Sequence, residues 1–411
     1  MGRAKELWMQ QQERGFSIVD GYVCSDCFGD EAIKRYIISH ATAKKCDYCG
    51  KAARRPIAAS ADDVTDLIIR CIRTEYVPVD ESNAPWDSEE KDWATNYVDF
   101  TDVLSDSGLD AESEIFDAIS GAVDGYSWAR PFGEISEDEA LDVVWNAFKK
   151  TILHKARYVF YKLKHDEPES HDPWTYPPES ILESLAKHAA ELDLITTIPT
   201  DTTIFRVRIS SSGERFQSAQ DLGSPPPEKA LYPNRMSPAG IPMFYGADNA
   251  KTAIIETLGD RRDDGVASIA AFQPLRPLKV LDLSKIPGPP SLFDESMSHI
   301  RHVIIFLNSF LKEFTKPVPK DKRMHIDYVP TQVVTEYFRH VFLYEGEHID
   351  GVKYPSSRDP EGISYAFFFQ QEDCTEDAEK RRHRWSRKPS LIMAKVYWNS
   401  ITFKPKWTLL R

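Results

Sequence analysis

The chain has 411 residues, 41% of them hydrophobic and 28% charged, with a formal net charge of −13. That length supports two or three domains, each with its own core. No run approaches the roughly 18 uncharged apolar residues of a membrane span, and the N-terminus, MGRAKELWMQQQERGF, is no signal peptide, so a cytoplasmic protein without a membrane partner is expected.

Residues 1–58 read as a zinc-knuckle module. Cys24-Ser25-Asp26-Cys27 and Cys46-Asp47-Tyr48-Cys49 are separated by eighteen residues, and each pair can grip one tetrahedral ion with two thiolates. Gly50 follows Cys49 and suits the tight turn whose backbone N–H groups point at sulfur. Four thiolates fill the coordination sphere, so the expected zinc is structural.

Residues 59–165 read as an α-helical bundle. Ser60 with Asp63 forms a capping-box start, after which Val64, Leu67, Ile68, Cys71 and Ile72 recur at helical spacing, making Cys71 a core thiol. Residues 110–123 read as a short helix. Ser136 with Glu139 opens another, carrying Leu141, Val144, Trp145, Phe148 and Ile152. Residues 80–142 hold nineteen Asp/Glu against only Lys91 and Arg130, whereas residues 380–411 hold ten Lys/Arg and no acid. Phosphate contacts need Lys and Arg, so the acidic middle argues against a nucleic-acid partner there.

Residues 166–200 are expected to form a Pro- and acid-rich linker and a connecting helix, Ile181 to Leu194. From Thr202 the pattern turns to short β-like runs such as Ile204 to Ile209, opening an α+β part. Helices are expected over His299 to Phe314 and Thr331 to Phe342, and strands over Ser364 to Phe369, Leu391 to Trp398 and Ile401 to Phe403. His299 and His302 share a helix face but lack a third ligand, and read as surface residues. The basic, aromatic run Lys380 to Trp385 reads as a solvated loop, Cys374 is given no function, and no Gly-rich phosphate loop is present.

The chemistry concentrates in Asn234-Arg235-Met236-Ser237-Pro238-Ala239-Gly240-Ile241-Pro242-Met243-Phe244-Tyr245 and the helix after it, which Asp248 or Asn249 can cap and which carries Thr252 and Glu256 on one face. Arg235 precedes a Pro/Gly turn that leaves its guanidinium able to fork onto a phosphate. Tyr245 closes a strand, and Glu256 is a carboxylate beside an apolar stripe. Farther on, Asp350-Gly351-Val352-Lys353-Tyr354-Pro355-Ser356-Ser357-Arg358 is a turn, a short strand and a hydroxyl-bearing loop.

These residues resemble the RES-domain family of NAD-degrading toxins across roughly residues 200–370. The likeness rests on the strand Phe205-Arg206, the N-R-x-x-P-x-G-I-P-x-x-Y block, the T-A-x-x-E helix, the Tyr328/Gln332 region and the D-G-V-x-Y-x-S-S turn. It maps the family's catalytic Arg, Tyr, Glu and Ser onto Arg235, Tyr245, Glu256 and Ser356, with Ser357 an adjacent candidate. Arg206 takes the first-strand arginine, with Arg208 its rival; Arg206 and Ser357 are the expected NAD-binding residues. The family block often reads G-R-W; Met236 here replaces the Trp.

The resemblance implies an ADP-ribosyltransferase-like fold with NAD in a cleft between two small sheets. It further implies cleavage of the nicotinamide–ribose bond with inorganic phosphate as acceptor, in a toxin or defence effector answering to an antitoxin or trigger protein. Transfer of ADP-ribose to a macromolecule and nucleotide binding without turnover are the alternatives. Zinc knuckles before a helical bundle are similar to the HEPN-like region attached to some RES proteins. HEPN ribonucleases use R-x(4–6)-H; Arg157 and His165 have seven residues between them, so no ribonuclease site is expected. The expected fold class is thus multidomain: the zinc module and helical bundle, then an α+β RES domain at residues 201–411 with a basic C-terminal extension.

Overall fold

The computed structural model describes residues 14–123, 125–163, 177, 179–259, 264–316, 323–376 and 390–401. His165, most of the Pro- and acid-rich stretch after it, Asp260, the run from Lys380 to Trp385 and the residues after Ile401 lie outside the described residues. The chain divides into two compact units, Met1–Ala140 with Gly288–Ile305 and Leu141–Pro287 with Phe306–Arg411. Among the described residues no helix is long and apolar enough to cross a membrane.

In the first unit, β1 (Tyr22–Cys24) pairs antiparallel with β2 (Ala58–Ser60). Helix α1 (Glu31–His40) starts at Asp30, whose carboxylate accepts from the N–H groups of Ala32 and Ile33, two of the donors a helix start leaves unpaired. Helix α2 (Ala61–Ile72) is capped as its sequence predicts, with the Asp63 N–H donating to Ser60 Oγ at 3.4 Å. Its stripe, Cys71 included, is buried. Two short ribbons follow, β3 (Val77–Pro78) with β6 (Trp128–Ala129) and β4 (Trp86–Asp87) with β5 (Asp92–Trp93), around helices α3 (Phe100–Asp106) and α4 (Ser113–Ala122).

One apolar core takes in Cys24, Cys27, Ile33 and Ile37 together with Val64, Ile68, Val103 and Trp128. A knuckle hairpin is too small to exclude water from its own sulfurs, and here helices α2 and α3 complete its core. Of the two histidines expected at the surface, His299 is exposed and His302 is half-buried, its Nδ1 2.6 Å from the Asp138 carboxylate, a partner remote in sequence.

The remaining helices are α5 (Glu137–His154), α6 (Ser180–Glu191), α7 (Ala219–Leu222), α8 (Ala250–Leu258), α9 (Ser298–Thr315), α10 (Met324–Asp327) and α11 (Val329–His340). The expected start of α11 at Thr331 moves back two residues, because Pro330 needs no N–H partner and fits a first turn.

A nine-stranded sheet organises the second unit, built from β7 (Ile195–Ile198), β8 (Ile204–Ser210), β9 (Phe244–Ala247), β10 (Gly265–Pro274), β11 (Leu278–Asp282), β12 (Gly351–Pro355), β13 (Ile363–Phe367), β14 (Cys374–Thr375) and β15 (Leu391–Ile401). The spatial order is β14-β15-β10-β8-β9-β13-β12-β11-β7, antiparallel throughout except for β11–β12 and β14–β15. The sheet begins at β7, ahead of Thr202. Its Thr-rich sequence, Ile195-Thr196-Thr197-Ile198, carries little apolar signal, and pairing with β11 makes it a strand.

Strands β8 and β9 share a single pair, Phe205 with Ala247. On either side of that seam the pairing is continuous. Beneath it, Phe244, Phe272 and Phe367 are fully buried, the first two ring to ring at 5.0 Å in the edge-to-face arrangement aromatic pairs favour. Gly246 permits the close approach: a Cβ there would lie 2.6 Å from Ile204 Cγ2 and 3.1 Å from the Phe205 carbonyl oxygen. Gly246→Ala is therefore expected to destabilise the protein by about 1–3 kcal/mol, the range for overpacking, measured as a lower urea midpoint. An unchanged midpoint would show that the seam tolerates extra volume.

Candidate functional site

A cavity of about 490 Å³ opens at the β8–β9 seam, within the size range of small-molecule sites. Among the described residues its wall includes Arg206 and Arg208 of β8, Lys229, Arg235, Arg358 and a single carboxylate, Glu256. Residues two apart on a strand face the same way, which is why both arginines of β8 reach the cavity.

Glu256 arrives there through the unit that follows β9. Asn249, not Asp248, caps α8: its Oδ1 accepts from the Thr252 N–H at 2.8 Å. Asp248 instead accepts from the Ile363 N–H at 3.1 Å and ties β9 to β13. Helix α8 ends at Gly259, whose φ of +55° suits glycine. Glu256 Oε1 accepts the Ser357 N–H at 3.1 Å and the hydroxyl of Ser356. Ser356 Oγ in turn accepts from the N–H groups of Arg358 (3.2 Å) and Asp359 (3.0 Å). Ser356 is buried behind Glu256 with its proton committed to that carboxylate, while Ser357 and Arg358 line the cavity.

Arg235 sits on a turn closed by Asn234 N–H to Ser237 O at 2.8 Å. Helix α11 holds this turn from behind: Gln332 Nε2 donates to the carbonyls of Asn234 (2.8 Å) and Ser237 (3.2 Å), and Thr331 Oγ1 donates to that of Arg235 (2.5 Å). Met236 is fully buried, with Thr335 Oγ1 3.3 Å from its sulfur, so it fills the place where the family block often has Trp. The clamping roles of Thr331 and Thr335 carry no sequence signature; on a helical stripe they read as ordinary small residues. The Arg235 guanidinium donates to the Phe314 carbonyl at 2.8 Å, near the C-terminus of α9, where a cation is favoured, and lies 5.6 Å from the Tyr328 ring centre.

Tyr245 Oη is 2.9 Å from Ser237 Oγ. Desolvation pushes its pKa up to about 12, so it is a neutral phenol at neutral pH. Arg206 Nη1 donates to the Tyr245 carbonyl at 2.5 Å, and its guanidinium lies 4.9 Å from the Phe244 ring centre. Desolvation pulls its pKa down to about 10, which still leaves it charged, and among the described residues no carboxylate pairs with it. Both side chains keep part of their surface open, toward the cavity. Arg208 lies 5.3 Å from the Phe216 ring centre. The structure therefore brings Arg206, Arg235, Tyr245, Glu256 and Ser357 to one cavity and puts Ser356 just behind it.

The four cysteines of the first unit also converge. All four sulfurs lie within 4.8 Å of one another, with Cys24–Cys27 at 3.8 Å, Cys24–Cys49 at 3.5 Å and Cys27–Cys46 at 3.6 Å. A tetrahedral zinc with Zn–S bonds of about 2.3 Å needs sulfurs about 3.8 Å apart, so the set fits. Burial alone would raise the Cys46 pKa, but the N–H groups of Cys49, Cys24 and Tyr48 outweigh it and lower the thiol to about 7, favouring the thiolate a metal binds.

Two family models match the chain: HEPN/RES N-terminal domain 1 over residues 39–166 and the RES domain over residues 203–388. Comparison with curated proteins and with solved structures yields no match. The Cys cluster and the helical region thus precede a mixed α+β RES domain, as the resemblance implied. Purified protein is expected to carry about one zinc per chain by elemental analysis, on the four-thiolate stoichiometry of structural sites. Cys27→Ser should lose that zinc and lower the thermal stability of the first unit; full metal retention by the variant would refute the assignment.

Proposed function

We propose that this chain, a RES-domain protein with a HEPN/RES N-terminal domain, cleaves the nicotinamide–ribose bond of NAD and passes the ADP-ribosyl group to phosphate. The observation that carries the reading is the cavity's charge pattern: among the described residues, one carboxylate beside Arg206, Arg208, Lys229, Arg235 and Arg358. Ordinary glycosidases use two carboxylates because the leaving oxygen must be protonated. Nicotinamide is different: its ring nitrogen is cationic while bonded to ribose and takes the bonding electron pair as it leaves, departing as a neutral base. No general acid is required.

Positive charge then develops on the ribose C1′ and ring oxygen, and the Glu256 carboxylate, held by Ser356 and the Ser357 N–H, is preorganised to stabilise it. An anionic phosphate oxygen forms the new bond to C1′, giving ADP-ribose 1″-phosphate. It needs no general base. The arginines supply charge for both the pyrophosphate of NAD and the incoming phosphate, with Arg206 and Arg235 as the principal holders. Tyr245, neutral and apolar-bodied, packs by the nicotinamide, and Ser357 lies close enough to the cavity to contact a phosphate. Loss of NAD is the toxic outcome expected of a RES-family toxin or defence effector.

Incubation with NAD, with and without phosphate, followed by proton and phosphorus NMR, tests this. Nicotinamide and a new sugar phosphate should appear only when phosphate is present. Glu256→Gln keeps the shape and the hydrogen-bond acceptor but removes the charge, and should lower kcat by about 10²–10³ without loss of thermal stability. NAD left intact under all conditions would overturn the enzymatic reading. ADP-ribose label on a macromolecule would replace phosphorolysis with transfer.

A further inference from the structure

We infer that Thr252 and Asp359 are positioning residues for Glu256, closing a ring of hydrogen bonds that fixes where its carboxylate points. The inference rests on the reading of Glu256 as the charge that stabilises the reacting ribose. Thr252 lies one helical turn before Glu256 on α8, on the same face. Its hydroxyl donates to Asp359 Oδ2 at 2.8 Å. The Asp359 N–H donates to Ser356 Oγ at 3.0 Å, and Ser356 donates to Glu256 Oε1, returning the path to α8.

Thr252 is fully buried and Asp359 is 4% exposed, so a missing partner would leave a desolvated polar group behind. The Thr252 hydroxyl and, after it, Lys251 Nζ at 3.3 Å hold the Asp359 carboxyl below the usual carboxylate range, keeping it an acceptor. The loop is closed on itself by Ser356 N–H to Gly362 O at 2.8 Å and Gly362 N–H to Asp359 O at 2.9 Å. Gly362 is pressed against Thr252, since a Cβ there would lie 2.3 Å from Thr252 Oγ1. Two carboxylates running in opposite senses, Glu256 from helix to loop and Asp359 from loop to helix, thus lock one element to the other. Neither Thr252 nor Asp359 lines the cavity.

The test is Thr252→Val, which keeps the volume and removes the hydroxyl, beside Thr252→Ser, which keeps the hydroxyl. Thr252→Val should lower kcat at least about tenfold, since misplacement of a reacting group by about 1 Å can reach a hundredfold, while KM for NAD stays unchanged. Thr252→Ser should restore most of the rate. Hydrogen exchange supplies a readout independent of turnover: the amides of Ser357 and Asp359 should exchange faster in Thr252→Val and in Asp359→Ala. An unchanged kcat in Thr252→Val, a rise in KM in place of the fall in kcat, or a Thr252→Ser variant as impaired as Thr252→Val would overturn the inference. If wild-type protein leaves NAD intact, the reading of the site fails, and exchange still decides the ring: faster exchange supports it and unchanged exchange refutes it.

Discussion

The single β-pair between Phe205 and Ala247 is the constraint on which the second unit depends. A sheet paired along its whole width has no room for a ligand between its strands, because neighbouring strands lie only about 5 Å apart. A sheet cut in two would need a second core to hold its halves. One pair, made possible by the bare backbone of Gly246, joins the halves over a shared aromatic core and lets the strands part above it. The side chains of β8 and β9 beside the seam therefore face a cavity, and the helix that follows β9 carries its carboxylate to the same place.

Crowding cations into that cavity is electrostatically unfavourable unless each is partly satisfied without being neutralised. The structure solves this with neutral partners. Arg206 meets a carbonyl and a ring face, Arg235 a carbonyl near a helix C-terminus and a second ring, and Arg208 a phenyl ring. Carbonyl dipoles and π-faces orient a guanidinium and offset some desolvation, yet leave its formal charge for an anion. A carboxylate in any of these places would have made a stable ion pair and a poor anion site. Among the described residues no arginine pairs with Glu256, and its Oε1 is turned toward the Ser356 loop.

Much of this was legible in the sequence where chemistry and local geometry coincide. The C-x-x-C pairs and the Ser60 cap are short-range patterns whose meaning depends on neighbours within a turn, and the structure keeps them; of the two caps open to α8, Asp248 or Asn249, it takes Asn249. Arg235, Tyr245 and Glu256 could be named because the N-R-x-x-P-x-G-I-P-x-x-Y block and the helix after it resemble the RES family, and Arg206, with Arg208 its rival, because the strand before that block shares the resemblance. What escaped notice depends on contacts between distant segments. Strand β7 is defined by pairing with β11, Asp138 by its histidine, and the Thr331 and Thr335 clamps by a turn almost a hundred residues away. Ser356 is the instructive case. Its place in the loop follows from the chain, but the direction of its hydroxyl depends on α8, and that hydroxyl donates to the Glu256 carboxylate.

The chain carries a net charge of −13, yet the cavity wall is cationic. The two facts act over different distances. At physiological ionic strength the Debye length is about 8 Å, so the acidic surface repels a polyanion only close to it and does little to a small ligand already at the cavity mouth. Within the low-dielectric wall the arginines act over a few ångströms and dominate. The cationic character of the wall is therefore local, and it holds in a chain whose total charge is negative.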